Sequence, residues 1–340
     1  MRPRARPDGR PSGRTPQASA LSGQLSERLR AAPADGSLAI LFPGQGSHKV
    51  GAGRDFFDEY LSARRVFQRA DEVLGFPLSE LCFEGPDERL RDTANAQPAI
   101  LTVSLAGLAA ALESGALARR PAYLAGHSLG EFSALVAAGS LTFEDALALV
   151  ATRGRLMGEA SERRPGTMAA VVGLNGEALD EVCRGSGVEP CNYNSPSQVV
   201  VGGTLEAVEE AARLARERGG RALPMNVSGA FHTSLMAPAA ARFAEAVEAC
   251  AIAEPAIPVI GNTTGEPLTT ASTVREELRQ QIIRPVLWHQ SMLRMTAAGA
   301  TTFLEAGPGR ALSGLIRRIE ADLTSLSLDS VSALGELRGV

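Results

Sequence analysis

The fold of this chain is decided by ten residues, AYLAGHSLGE, which run from Ala122 to Glu131. A short apolar run precedes Gly-His-Ser-Leu-Gly, and an apolar pattern with helical spacing starts after Gly130. Strand, sharp turn and helix in this order are the context of the Gly-x-Ser-x-Gly nucleophile elbow. The two glycines stand where a side chain would collide with neighbouring backbone. The stretch therefore predicts an α/β fold in which Ser128 is the candidate nucleophile at the end of a sheet.

Composition is that of an ordinary globular protein. The 340 residues are 44% hydrophobic and 21% charged, which is enough for a large core and a smaller second domain. A net charge of −4 argues against a nucleic-acid partner. No uninterrupted apolar run approaches the ~20 residues that span a bilayer. The four cysteines form no Cys-x-x-Cys pair, which favours free thiols, and we expect a cytoplasmic protein without a metal.

The chain divides into four predicted segments. Residues 1–36 are rich in Arg, Pro, Ser and Gly without apolar periodicity, which predicts a disordered extension. Residues 37–165 and 229–320 are expected to form a large α/β-hydrolase-like domain with a parallel sheet. Residues 166–228 follow the order β-α-β-β-α-β, which predicts an inserted ferredoxin-like subdomain with the substrate cleft beside it. Residues 321–340 are expected to be a weakly ordered tail.

Two helices have clear start signals. Thr142 predicts a capped helix from Phe143 to about Ala160, because Thr is a favoured N-cap residue. Pro98 predicts a long apolar helix from Ala99 to about Leu117, because Pro is favoured in the first turn of a helix.

A second strand end faces the elbow in our prediction. The apolar run 38–42 suits a buried parallel strand, and Pro43-Gly44-Gln45-Gly46-Ser47 ends it abruptly. In open α/β sheets, ligands bind in the crevice at such carboxyl ends. On these residues alone, a simple strand-to-loop turn is an equally good interpretation.

A serine nucleophile needs a base within hydrogen-bond reach, and the chain has four histidines. His127 is held by the elbow, so that its ring points away from Ser128. His48 and His289 lie in polar settings typical of a surface. His232, in a Gly-Ala-Phe-His loop before a helix, is the best placed, although its sequence position leaves a structural role open.

Arg153 lies in a stretch that is otherwise apolar or small, apart from the preceding Thr. It is either a charge on a helix face with its stem packed on apolar neighbours, or a buried guanidinium that awaits an anion. Sequence position alone favours the surface interpretation, since Arg is rarely fully buried.

Several motifs together resemble one family. The chain resembles the malonyl-CoA:acyl-carrier-protein transacylases and the acyltransferase domains of fatty-acid and polyketide synthases. The resemblance covers about residues 38–318. The matching segments occur in the family's order and are Phe42–Ser47, Gln97–Ala99, Gly126–Glu131, Arg153-Gly154, Gly229–His232 and Glu305–Gly309.

The resemblance implies roles for five residues. Ser128 attacks a thioester, and His232 takes its proton and later returns one to the leaving thiol. Backbone N–H groups of Gln45 and Leu129 form the oxyanion hole. A main-chain carbonyl from the segment 284–288, expected to be that of Leu287, steadies His232. The sequence supplies no acid there, so a Ser-His dyad is favoured over a triad.

The resemblance also implies a donor and an acceptor. Arg153 would pair bidentately with the free carboxylate of a malonyl group, and Phe231 would leave little room for an α-methyl branch. Gln97 and Met157 are expected to line the substrate site. Malonyl-CoA would acylate Ser128, and the phosphopantetheine thiol of an acyl carrier protein would take the group, without any cofactor and in a monomer. Residues 192–196 and the Gly-Ala-Phe-His loop look more like freestanding polyketide acyltransferases than the fatty-acid enzyme.

Two other functions fit the same elbow. One is an acyl hydrolase or editing thioesterase that uses water as the acceptor, which Arg153 argues against. The other is a non-catalytic module that docks carrier proteins, which the complete set of Ser128, His232 and Arg153 argues against.

Overall fold

The computed structural model describes residues 20–338, which contain a six-stranded and a four-stranded sheet. The strands are β1 (Ala34–Phe42), β2 (Arg120–Gly126), β3 (Thr167–Val172), β4 (Glu189–Ser195), β5 (Gln198–Gly203), β6 (Arg221–Pro224), β7 (Val259–Ile260), β8 (Pro267–Leu268), β9 (Thr302–Ala306) and β10 (Thr324–Leu328). The larger sheet has the order β10-β9-β1-β2-β7-β8. Its pairs are parallel except β7 with β8.

Helices connect and cover these strands. They are α1 (Ala20–Ala31), α2 (Arg54–Glu59), α3 (Leu61–Leu74), α4 (Leu78–Glu84), α5 (Asp87–Arg91), α6 (Thr93–Glu113), α7 (Gly130–Ala137), α8 (Phe143–Arg163), α9 (Gly176–Ser186), α10 (Leu205–Glu217), α11 (Ala237–Ala249), α12 (Ala271–Gln280), α13 (Trp288–Ala297), α14 (Ala311–Ile319) and α15 (Leu334–Leu337).

The two central strands carry the loops that the sequence singled out. β1 and β2 are parallel neighbours, with Phe42 opposite Gly126. Residues 38–42 are all buried, as expected of a strand covered on both faces. The loops that follow Phe42 and Gly126 therefore leave the sheet from the same edge.

The helix α6 lies in the core. By length and hydropathy it would qualify to cross a membrane, but 89% of its apolar window is buried inside the protein, as in the core helix of a large domain. It begins six residues before the expected Ala99, because the Asp92 side chain accepts from the Ala94 N–H and caps it. The cap expected for α8 is confirmed, since Thr142 accepts from the Asp145 N–H.

The smaller sheet is antiparallel, with the order β4-β5-β3-β6. Its elements follow one another as β3, α9, β4, β5, α10 and β6. Backbone hydrogen bonds tie it to the rest of the protein at Val286, which donates to Cys191 O at 2.8 Å and accepts from Tyr193 N at 2.9 Å. The small sheet is thus fixed beside the start of α13.

Near both ends of the chain, the structure contains helices and strands that the sequence did not predict. Residues 1–19 lie outside the described residues, but the rest of the expected disordered extension contains α1 and the start of β1. Leu25 and Leu29, one helical turn apart, are buried against the core. The tail was also predicted wrongly, because β10 pairs with β9 and Leu328 is fully buried. These apolar positions are too few to stand out in polar surroundings.

Candidate active site

Ser128 lies between β2 and α7, on a turn that only small flanking residues permit. Its φ of 50° is left-handed, an unfavourable region for a serine. A Cβ on Gly126 would lie 1.9 Å from the Gly130 carbonyl carbon, and one on Gly130 would lie 2.0 Å from Phe42 O. Glycine is therefore required at both positions, and the geometry is that of a nucleophile elbow.

His232 is the histidine that reaches Ser128. Its Nε2 lies 2.7 Å from Ser128 Oγ, and its Nδ1 lies 2.8 Å from Gln281 O and 3.1 Å from Arg284 O. Since carbonyls only accept, the network assigns the proton to Nδ1 and leaves Nε2 to accept from the serine hydroxyl. Two main-chain carbonyls therefore orient the His232 ring.

The choice of Leu287 within the expected segment 284–288 is wrong, although Arg284 O in the same segment does accept from His232. Leu287 O lies at the start of α13, where it accepts from Ser291 N at 2.9 Å and Ser291 Oγ at 3.0 Å. One of the two carbonyls that hold His232 comes from the end of α12, where the last carbonyls of a helix have no partner within it. The other, Arg284 O, comes from the loop that follows this helix. Gln281, the C-cap residue of that helix, is the nearer of the two.

Burial and the nearby positive charge of Arg153 lower the pKa of His232 to about 3. A free imidazole with a pKa of 6.5 would be only about 3% neutral at pH 5. The buried ring therefore stays neutral, and able to accept a proton, throughout the physiological range.

We expect the acylation rate at low donor concentration to stay flat between pH 8 and pH 5. This rate reports the pKa of the base in the free enzyme, and the pKa of His232 lies below that range.

The stability of the fold, in contrast, should depend on pH. The unfolded ring binds protons below pH 6.5 that the native ring does not, so the free energy of unfolding falls as the pH drops from 6.5 towards 3. Stopped-flow acylation and chemical denaturation across pH check both, and an acylation midpoint near 6.5 would contradict the assignment.

Arg153 is a buried guanidinium, 1% exposed, so the surface interpretation is wrong. Its Nη1 donates to Gln97 Oε1 at 2.8 Å, and its Nη2 donates to Gln281 Oε1 and Ser128 Oγ, both at 3.0 Å. These partners are neutral, and within residues 20–338 its Nε has no hydrogen-bond partner. Burial lowers its pKa to about 10, so it stays charged and directed at the nucleophile.

Gln97 meets both Arg153 and Met157 where α6 crosses α8. Gln97 Nε2 donates to Met157 Sδ at 3.6 Å, while its other amide atom holds the guanidinium. Gly154 lets these two helices approach closely. A Cβ at this position would lie 2.4 Å from Thr93 O. Phe231, the neighbour of His232, is also buried.

The two expected oxyanion donors come from the neighbouring strand ends. Gly44 packs on the elbow so tightly that a Cβ on it would lie 2.6 Å from His127 O, which places Gln45 beside the turn. Leu129 opens α7. Neither backbone N–H has an acceptor among the residues that the structure describes. A cleft of about 900 Å³ opens beside Gln45 and is bordered by Thr93, Ser161 and Ser228.

The elbow is braced by residues that the sequence did not identify. Asn262 Oδ1 accepts from Ser128 N at 2.6 Å, and Asn262 Nδ2 donates to Gly126 O at 2.7 Å. Gln281 Nε2 donates to Ser128 O at 2.9 Å and also to Glu131. Asn262 lies in a polar run directly after a buried strand, a pattern that could have marked it in the sequence. No such pattern marks Gln281.

His127, the histidine next to Ser128 in the sequence, is held by other contacts. His127 bonds Asn194 Oδ1 at 2.9 Å and packs on Trp288, so its ring points away from Ser128 as expected. Cys82, Cys183 and Cys191 are free thiols. Across residues 20–338 no three His, Cys, Asp or Glu side chains are grouped to hold a metal ion.

A serine on an elbow, a neutral histidine and a buried guanidinium define a serine-dependent acyl-transfer site. The chain belongs to the acyl transferase domain family, which matches residues 40–325. Among curated relatives, the malonyl CoA-acyl carrier protein transacylase of Bacillus subtilis is 44% identical over 86% of this chain and 93% of its own. The Escherichia coli K12 protein of the same name is 41% identical over 87% and 97%.

Solved structures agree with this family in fold. An acyl carrier protein S-malonyltransferase from Vibrio cholerae has a TM-score of 0.85 and 40% identity, covering 88% of this chain and 99% of its own. A malonyl-transacylase in complex with its type II PKS acyl-carrier protein has a TM-score of 0.85 and 38% identity, covering 89% and 99%.

Proposed function

We propose that this enzyme transfers a malonyl group from malonyl-CoA to the phosphopantetheine thiol of an acyl carrier protein. The observation that carries the proposal is Arg153, whose buried guanidinium lies 3.0 Å from Ser128 Oγ among neutral partners. A buried cation with no carboxylate in contact is costly unless an anion pairs with it. The free carboxylate of a malonyl thioester supplies that anion next to the acylated oxygen.

The first half-reaction forms a malonyl ester on Ser128. Ser128 Oγ attacks the thioester carbonyl while its proton passes to His232 Nε2. The N–H groups of Gln45 and Leu129 stabilise the oxyanion, the C–S bond then breaks, and His232 returns the proton to the CoA thiolate. The second half-reaction runs in the same way with the carrier thiol as the nucleophile and Ser128 as the leaving group.

Donor binding strengthens the base in this scheme. The positive charge of Arg153 is one of the causes that lower the pKa of His232. A malonyl carboxylate on Arg153 neutralises that charge, so the imidazolium is easier to form once the correct donor is bound. An acyl group without a carboxylate gives no such help.

We propose that Phe231, Met157 and Gln97 limit the size of the acyl group that the site accepts. All three are buried, and Gln97 fixes the guanidinium. We expect malonyl to be preferred over methylmalonyl by about 10- to 200-fold, since one methylene in a tight pocket is worth about 1–3 kcal/mol.

We also propose a domain organisation, a location and a pathway. Residues 166–228 form a ferredoxin-like subdomain in this proposal, supported by the element order around the small sheet. Residues 37–165 and 229–320 form the large α/β catalytic domain, and β10 extends it.

We propose a cytoplasmic monomer. Polyketide biosynthesis is the favoured pathway, supported by a similar malonyl-transacylase that binds a type II PKS carrier protein, with fatty-acid synthesis as the alternative.

Intact mass spectrometry with malonyl-, methylmalonyl- and acetyl-CoA tests the donor. We expect a malonyl adduct to dominate in a mixture of the three. The hydrolase alternative predicts malonate release with no lasting adduct, at a rate that Arg153→Ala does not change, and that result would refute the proposal.

A further inference from the structure

One fully buried carboxyl group in the site takes no part in the chemistry above. Glu131, three residues after the nucleophile, is 0% exposed. Its Oε1 accepts from Asn262 N at 2.9 Å and Asn262 Nδ2 at 3.1 Å, and its Oε2 accepts from Gln281 Nε2. Both carboxyl oxygens are thus used to hold two side-chain amides.

Those amides fix the peptide groups on both sides of the nucleophile. Asn262 binds Gly126 O and Ser128 N, and Gln281 binds Ser128 O. A serine at φ 50° costs about 1–3 kcal/mol and persists only where surrounding contacts impose it. The two amides are such contacts, and Glu131 anchors both.

Gln281 also contacts the other two groups of the site. Its Oε1 accepts from Arg153 Nη2 at 3.0 Å, and its backbone carbonyl accepts from His232 Nδ1 at 2.8 Å. A glutamine amide can point either way, because its oxygen and nitrogen are nearly the same in shape. Glu131 and Ser128 O both accept from the nitrogen, so they fix it on their side and leave the oxygen for the guanidinium.

We propose that Glu131 is a positioning residue that sets the orientation of Gln281 and Asn262, and through them aligns Ser128 and Arg153. The inference rests on the proposed malonyl transfer and deepens it, because it makes donor selectivity depend on a residue that the donor does not touch. Only a carboxyl group offers an acceptor oxygen to each amide. An amide at this position presents an NH₂ group to one of two donors.

The test is Glu131→Gln, compared with the parent protein for kcat/KM on malonyl-CoA, for the malonyl-to-acetyl preference and for thermal midpoint. We expect kcat/KM to fall about 100-fold, as for a small misplacement of reacting groups. The preference should fall about tenfold, because a flipped Gln281 turns its NH₂ towards Arg153. Rates are divided by the fraction of enzyme that can be acylated. A loss of folded protein alone therefore changes neither kcat/KM nor the malonyl-to-acetyl preference.

Glu305→Gln is the matched control. Glu305 is equally buried and also accepts three hydrogen bonds, from Leu312 N, Ser313 N and Ser313 Oγ, but these hold α14. We expect this variant to lose stability while both kinetic quantities stay at the parent values.

If Glu131→Gln does not fold, Gln281→Met replaces it, since it keeps the carbonyl for His232 and removes the amide. Values of kcat/KM and of donor preference within about threefold of the parent in the tested variant would overturn the inference. A parent protein that forms no malonyl adduct would refute the proposed function instead, whatever the variants do.

Discussion

Arg153→Ala is expected to lower kcat/KM for malonyl-CoA by roughly 10²–10³-fold, since losing one partner of a buried charged pair costs about 2–5 kcal/mol. Transfer from acetyl-CoA, which has no carboxylate, should change far less. The malonyl preference therefore collapses. Competition between the two donors, measured by acyl-enzyme mass, gives the ratio directly.

Arg155→Ala serves as the control for this change. Arg155 lies two residues further along the same helix, and its exposed side chain pairs with Glu159. Exposed pairs of this kind contribute little to stability, so donor preference should stay at the parent value. Equal losses on both donors in Arg153→Ala would instead indicate a general disturbance of the site and contradict carboxylate recognition.

Ser128→Ala is expected to abolish the malonyl adduct and to lower kcat by about 10⁶-fold, as loss of the nucleophile does in other serine enzymes. The fold should survive, because the braces on the elbow bind the backbone of residue 128. Peptide mapping of the acylated parent should locate the malonyl group on Ser128.

Ser133→Ala is the matched control for the nucleophile. Ser133 lies on α7, is fully buried, and its hydroxyl has no hydrogen-bond partner within residues 20–338. Its removal should leave acylation unchanged and stability the same or higher, because an unsatisfied buried hydroxyl is lost. A normal adduct in Ser128→Ala would show that another residue is acylated.

The sequence predicted those parts of the site whose geometry is encoded locally. Gly126 and Gly130 are required by backbone contacts within one turn, so the elbow can be inferred from adjacent residues. The family resemblance assigned roles to His232 and Arg153, but their burial and contacts follow only from the fold. Sequence position had favoured a surface for Arg153 because the partners that bury it come from α6 and from the end of α12.

The braces could not be predicted because they are distant and aperiodic. Asn262 and Gln281 lie 134 and 153 residues from Ser128, and neither interrupts an apolar pattern that would single it out. The same reason explains the error at Leu287. The resemblance identified residues 284–288, of which Arg284 does contact His232. The nearer carbonyl comes from Gln281 at the end of α12, and the sequence had not indicated that helix.

The central claim, transfer through Ser128 to a carrier thiol, is tested most directly by a chase experiment. The protein is acylated with malonyl-CoA, freed of CoA, and mixed with an acyl carrier protein that either bears or lacks phosphopantetheine. We predict that the malonyl group leaves Ser128 and appears on the carrier that bears the thiol, while it persists on the enzyme with the other carrier and in buffer. Release of malonate at one rate in all three mixtures would contradict the account.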